Sequence, residues 1–84
     1  MNTNILLTGG RAPVTLELAR LFSGAGHRVF VADSLPHHLC SYSRSVFKNF
    51  LVPPPRFDPT GFIDALVDII ETEKIDLLIP TSSN

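Results

Sequence analysis

The sequence predicts an α/β fold, a small open parallel sheet of about four strands with helices on both faces. Short apolar segments of strand length alternate with longer segments in which apolar residues recur at helical spacing. Glycine, aspartate or proline follows each strand segment, as expected where a strand gives way to a turn. The resulting order, βαβ–loop–βαβ, is typical of parallel sheets covered by helices. The 84 residues suffice for one small domain, residues 1–84.

The first half of the chain predicts one βαβ unit. Residues 5–8 are short and apolar enough for a strand that is buried on both faces. A helix is predicted over 14–23, with Gly26 as a left-handed cap behind it. Residues 28–32 are β-branched and aromatic, which predicts a second strand, and Asp33 stands at its end.

The second half predicts another such unit after a polar loop at 34–45. The third strand is predicted over 46–52, where a run of three prolines stops it. An Asp-Pro pair at 58–59 combines a capping side chain with a first-turn proline and predicts the start of the second helix. Residues 75–79 predict the fourth strand.

Composition and charge exclude several function classes. Hydrophobic residues make up 44% and charged residues 18%, a profile of folded rather than disordered chains. The net charge of −1 gives no electrostatic basis for binding nucleic acid or an anionic membrane. The single cysteine, Cys40, excludes an internal disulfide and fits a reducing compartment. No apolar run reaches the length of a membrane span, so we expect a soluble cytoplasmic protein.

The turn after the first strand is the strongest candidate site. Gly9, Gly10 and Arg11 precede a helix N-terminus, an arrangement that offers N–H groups to a phosphate or carboxylate. It is not a full dinucleotide fingerprint, because G-x-G-x-x-G counted from Gly9 requires glycine at Arg11 and at Val14. Three interpretations remain open: the turn binds a nucleotide, binds another anion, or only bends the chain.

Three further residues are candidates for contacting a substrate or anion. Asp33 follows the second strand, where an acid binds ribose hydroxyls in dinucleotide folds; alternatively it caps the following loop. Arg44 is predicted at the same end of the sheet as Asp33, in a loop that either contacts ligand or is solvated. Thr81 follows the fourth strand and either hydrogen-bonds a ligand from that edge or belongs to a frayed terminus.

Catalytic and metal sites are not predicted. His37, His38 and Cys40 are three candidate ligands in one loop without a second half-site, so we expect no metal there. No nucleophile–base triad and no pair of catalytic carboxylates can be assembled at a plausible spacing.

Five segments in combination carry a resemblance. They are Asn4–Val14, Ala25–Ser34, Tyr42–Arg44, Phe50–Pro55 and Ile75–Thr81. Together they resemble the N-terminal, pre-ATP-grasp domain of ATP-grasp ligases, the group of carbamoyl-phosphate synthase-like and related carboxylate–amine ligases.

The resemblance implies a Rossmann-like domain that supplies part of the acceptor-substrate crevice and does not hold NAD. In the full-length enzyme, ATP and magnesium bind to later domains. A carboxylate is activated as an acyl phosphate before an amine attacks, so a small carboxylate or amine is the expected substrate. The family commonly continues past Ile-Pro-Thr with an acidic pair and a further helix, whereas this sequence continues Ser82-Ser83-Asn84. We therefore expect a non-catalytic fragment of a longer chain, with no cofactor of its own.

Two alternatives belong to other functional classes. One is a small NAD(P)-binding module of the reductase or epimerase type. The other is a stand-alone interaction domain that forms a homodimer through an exposed sheet edge or through the surface that missing domains would cover.

Overall fold

The computed structural model describes residues 3–10, 13–35 and 43–81. Within them the chain forms four strands and two helices. These are β1 (Asn4–Thr8), α1 (Pro13–Gly24), β2 (Arg28–Asp33), β3 (Lys48–Leu51), α2 (Pro59–Glu73) and β4 (Leu77–Pro80). All strand pairs are parallel, in the order β3-β2-β1-β4, which confirms the predicted α/β fold with a small parallel sheet.

The register places the two halves of the chain side by side. Leu6 of β1 lies opposite Phe30 of β2 on one side and Leu78 of β4 on the other. Ala32 of β2 lies opposite Phe50 of β3. The order matches the first four strands of a doubly wound sheet, and the carboxyl ends of β1, β2 and β4 therefore share one edge.

The central strands β1 and β2 are buried on both faces, as predicted for β1. Alternate residues of β1 and β2 point to opposite sides of the sheet, and each side packs against a different helix. The α1 side contains Ile5, Leu7, Ala19, Val29, Val31 and Val46. The α2 side contains Leu6, Phe30, Ala32, Val52, Leu66 and Ile69. The prediction of helices on both faces is therefore confirmed.

Helix α2 begins and ends at the residues that local chemistry favours. The Asp58 carboxylate accepts a hydrogen bond from the N–H of Gly61 at 3.0 Å, and Pro59 occupies the first turn. At the other end Lys74 adopts the left-handed conformation with φ 55°, and its N–H bonds to the carbonyl of Ile70. The predicted Asp-Pro helix start is confirmed.

Strands β3 and β4 differ from their predicted bounds. β3 covers 48–51 rather than 46–52, although Val46 and Val52 beyond its ends are buried. β4 starts at Leu77 rather than at residue 75, because the N–H of Ile75 bonds to Ile70 and closes the end of α2.

Proline is tolerated at the end of β4 because this is an outer strand. Thr81 donates its backbone N–H to the carbonyl of Thr8, and donors to one neighbour alternate along a strand. The nitrogen of Pro80 therefore faces away from β1, where its missing N–H leaves no gap in the ladder.

Candidate functional site

The side on which the chain adds strands to the sheet changes at β1: β2 and β3 lie on one side of it and β4 on the other. The first crossover leads from β1 to β2 on one side, whereas β4 lies on the other side of β1. In doubly wound sheets, ligands bind at the carboxyl ends of the strands that flank such a point. Here those ends are Thr8 with its following glycines and Pro80 with Thr81.

The turn after β1 depends on glycine. Gly9 has φ 79°, in the left-handed region that side-chain-bearing residues rarely adopt. Its N–H donates to the carbonyl of Ala32 at 3.2 Å, which fixes the turn against the end of β2. Gly10 follows it and is buried. This backbone conformation brings the start of α1 beneath the sheet edge.

Three threonines connect the turn, the helix and the end of β4. The Thr15 hydroxyl donates to the carbonyl of Gly9 at 2.7 Å. The Thr81 hydroxyl contacts the Thr15 hydroxyl and donates to the carbonyl of Thr8. Each hydroxyl carries one proton, so two of these three contacts are hydrogen bonds at any moment. The hydroxyls of Thr15 and Thr81 are therefore already engaged with each other and with the carbonyls of Thr8 and Gly9.

Thr15 is a residue that the sequence analysis did not find. It is fully buried although its neighbours Val14 and Leu16 are more exposed. A hydroxyl that falls on the inward face of a helix requires a partner, and this is the sequence signal that identifies it.

Asp33 lies at the same edge, directly after Ala32, and is almost completely buried. Its Oδ1 accepts from the N–H of Ser34 at 2.6 Å and from the N–H of Leu35 at 3.3 Å. This geometry matches the loop-capping alternative of the sequence analysis. The structure thus brings Gly9, Gly10, Asp33 and Thr81 to one edge. Arg11, His37, His38, Cys40 and Tyr42 lie outside the described residues.

Arg44 is not at that edge, and its predicted position beside Asp33 is wrong. Strand β3 begins at Lys48 and runs parallel to β2, so the segment before it lies at the amino end of the sheet. Arg44 lines a cavity there together with Arg28, the first residue of β2. At about 3.3 Å per residue, the two ends of β2 are roughly 17 Å apart.

The amino-end cavity, as we call it, has a volume of about 200 Å³ and is open to solvent. Besides the two arginines, its lining includes Ser23, His27 and Phe47. The guanidinium carbon of Arg28 lies 4.8 Å from the centre of the Phe47 ring. Sequence reasoning did not single out His27 or Arg28, because their pairing with the loop before β3 is a long-range contact.

In residues 3–10, 13–35 and 43–81, no group of three or more His, Cys, Asp or Glu side chains could hold a metal ion. Neither of the two helices in the same ranges has the length and apolar character that crossing a bilayer requires.

No protein-family model matches the chain, and no curated protein sequence matches it.

Proposed function

We propose that the chain is the N-terminal substrate-crevice domain of an ATP-grasp ligase. The full-length enzyme forms an acyl phosphate from ATP and a carboxylate before an amine attacks it. These 84 residues provide one wall of the crevice and are non-catalytic alone. We propose a cytoplasmic location for the enzyme.

The observation that carries the proposal is the meeting of two resembling segments at the carboxyl edge. The Thr-Gly-Gly turn and the Ile-Pro-Thr segment are more than 70 residues apart in sequence, yet Thr81 is hydrogen-bonded to Thr8. Asp33, in a third resembling segment, follows the residue that binds the Gly9 N–H. These segments therefore form one continuous surface at the carboxyl edge, which could serve as one wall of a substrate crevice.

The positions of the lysines support a non-catalytic role for this domain. ATP phosphates require cations, and the sequence contains two lysines, Lys48 and Lys74. Lys48 begins β3 and pairs with Glu73 at 3.3 Å, while Lys74 precedes β4. Both therefore lie at the amino end, so neither lysine can contact a phosphate at the carboxyl edge. In the proposed enzyme, ATP and magnesium are held by other domains.

The size and activity of the native gene product test the proposal. An antibody against this chain should detect a polypeptide several times longer than 84 residues in its source cells. That protein, once purified, should release ADP only when magnesium, a carboxylate and an amine are all present. A native product of 84 residues, or ADP release independent of both acceptors, overturns the proposal.

Titration of the 84-residue chain separates the ligase domain from the NAD(P)-binding alternative. Isothermal calorimetry with NAD⁺ and NADPH should give no saturable heat, since Val14 stands where the fingerprint has its third glycine. Saturable binding at micromolar concentration would assign the chain to the reductase or epimerase class instead.

The outer edge of β4 favours a second candidate function, self-association. Leu77 and Leu78 are 47% and 38% exposed, and no strand of the described ranges pairs with the outer side of β4. Such an edge offers unpaired N–H and C=O groups to a second copy. Light scattering during gel filtration should then give a dimer mass that Leu77→Lys converts to a monomer mass; a monomer at every concentration rules this candidate out.

A further inference from the structure

The amino-end cavity contains two cations that have no counter-ion among the described residues. Arg28 and Arg44 both line it, and neither guanidinium has an ion-pair partner in the ranges 3–10, 13–35 and 43–81. By contrast, Lys48 at the same end of the sheet pairs with Glu73. No residue that lines the cavity is acidic. This cavity is therefore a local positive site on a chain whose net charge is −1.

The first of these arginines is held in position by its surroundings. The backbone N–H of Arg28 donates to the carbonyl of Thr3 at 2.9 Å, which fixes the start of β2. Its guanidinium lies on the Phe47 ring, a cation–π arrangement that keeps the group desolvated on one face. Phe47 is fixed in turn by its own N–H bond to Val29 at 2.7 Å.

The second arginine lies on a short hydrogen-bonded turn. Val46 donates its N–H to the carbonyl of Ser43 at 3.3 Å, and Ser45 donates its N–H to the Ser43 hydroxyl at 3.1 Å. The turn holds the backbone of Arg44 while its exposed side chain remains free to close on a ligand. One arginine is thus preorganised and the other is adaptable.

Further polar side chains line the cavity. His27 is one of them, and its Nδ1 is buried without a hydrogen-bond partner in the described part of the chain. The hydroxyls of Ser23 and Ser45 are further donors in the lining.

We propose that the amino-end cavity binds a small organic phosphate monoester. Such a group carries a charge of about −1.5 to −2 at neutral pH, which two guanidinium groups balance. The planar guanidinium fork matches phosphate oxygens in a bidentate manner. The volume of about 200 Å³ lies below the roughly 300–1,000 Å³ of sites for drug-sized ligands, so the ester is small.

The end of α1 opposes an anion, but by less than the arginines favour it. A helix C-terminus is equivalent to roughly half a negative charge, against two full positive charges here. The carbonyls of Leu21, Phe22 and Ser23 already accept N–H groups from the residues after the helix. The balance at the cavity therefore remains positive. This inference is independent of the proposed ligase function.

Calorimetric titration of the 84-residue chain with glycerol 3-phosphate tests the inference. Saturable binding is expected for the unmodified chain, while glycerol and acetate at the same ionic strength should give none. Arg44→Gln should weaken binding by about tenfold, the factor that corresponds to losing one charge-assisted hydrogen bond. Arg56→Gln is the matched control, since Arg56 is exposed in the turn before α2 and does not line the cavity.

The control should retain the affinity of the unmodified chain within about twofold, because a distant surface charge acts weakly through screening salt. Equal losses in the two variants would show general charge attraction and overturn the site. Absence of saturable binding, or binding of acetate as tight as that of the phosphate ester, would also overturn it. Thermal unfolding of both variants verifies that each is folded during the titration.

Discussion

The two ends of the sheet use their polar groups in opposite ways. At the carboxyl end, Thr8, Thr15 and Thr81 are hydrogen-bonded to one another and to Gly9. At the amino end, by contrast, Arg28 and Arg44 line a cavity without counter-ions among the described residues. Among the described residues, the hydroxyls at the end with the glycine turn are engaged within the chain, whereas the two arginines at the other end form no ion pair.

This difference shows that a familiar sequence motif does not by itself leave polar groups available to a ligand. A glycine turn at a helix N-terminus offers N–H groups to an anion. Here, however, the hydroxyls of Thr15 and Thr81 bond to the carbonyls of Gly9 and Thr8 and link the turn to the end of β4. Under the proposed function, the carboxyl edge becomes a binding surface when the walls supplied by other domains are present. The amino-end cavity requires no such completion.

The largest effect on stability is expected at the carboxyl end, from Thr15→Val, which keeps the shape of the side chain and removes its hydroxyl. The loss should lower the free energy of unfolding by about 1–3 kcal/mol, because Thr15 is fully buried and its hydroxyl no longer donates to the carbonyl of Gly9. Thr60→Val, on the exposed start of α2, is the matched control and should change stability by less than about 0.5 kcal/mol. Urea unfolding followed by circular dichroism measures both. Equal effects would show that the buried hydroxyl contributes nothing to this edge.

The next effect is expected from Gly9→Ala, which places a Cβ on a backbone with φ 79°. The left-handed conformation should cost about 1–2 kcal/mol of folding free energy. Gly24→Ala is the control, since Gly24 ends α1 and a Cβ there meets no atom within 4 Å. The same urea experiment should find Gly24→Ala neutral or stabilising. A Gly9→Ala protein as stable as this control would contradict the turn geometry.

A smaller loss of stability is expected at Asp33. Two substitutions there distinguish stabilisation by hydrogen bonds to the following loop from stabilisation by the negative charge alone. Asp33→Ala should cost about 1 kcal/mol, because the N–H groups of Ser34 and Leu35 lose their acceptor. Asp33→Asn retains an oxygen acceptor and should cost less. If both substitutions reduce stability equally, the negative charge matters rather than the hydrogen bonds to the loop.

The fold was predictable because it depends on local patterns. Apolar runs and the Gly26 stop define α1 and the two central strands within one residue of their observed bounds, and the Asp58-Pro59 pair defines the start of α2. The outer strands were less accurate, since they are short and their ends are set by contacts with neighbours. Ile75, for example, completes the end of α2 instead of starting β4.

The candidate site was predictable only in part, and for a physical reason. Residues that directly follow a strand, such as Asp33 and Thr81, must lie at its carboxyl end. Arg44 was misplaced because it precedes β3 and is separated from β2 by a loop, so its position depends on where the chain re-enters the sheet. Thr15 was identifiable as a hydroxyl on the inward face of α1, but its partner Thr81 and the amino-end cavity arise from long-range packing that no local pattern encodes.

The smallest effect on stability is expected at the amino end of the sheet. Arg44→Gln should change the free energy of unfolding by less than about 0.5 kcal/mol, because the side chain is exposed and forms no ion pair in the described ranges. Chemical unfolding measures this beside Thr15→Val. A large destabilisation would mean that Arg44 has a structural role, and the contrast between the two ends would be lost.

The central claim, that the amino end is open to an anion while the carboxyl end is closed by its own hydrogen bonds, is tested most directly by residue-level mapping. Amide chemical shifts of the ¹⁵N-labelled chain would be followed during a titration with glycerol 3-phosphate. The account predicts saturable shifts at Gly26, Arg28 and Ser45, with Gly9 and Gly10 unmoved. Saturable shifts at the two glycines, with none around Arg28, would contradict it.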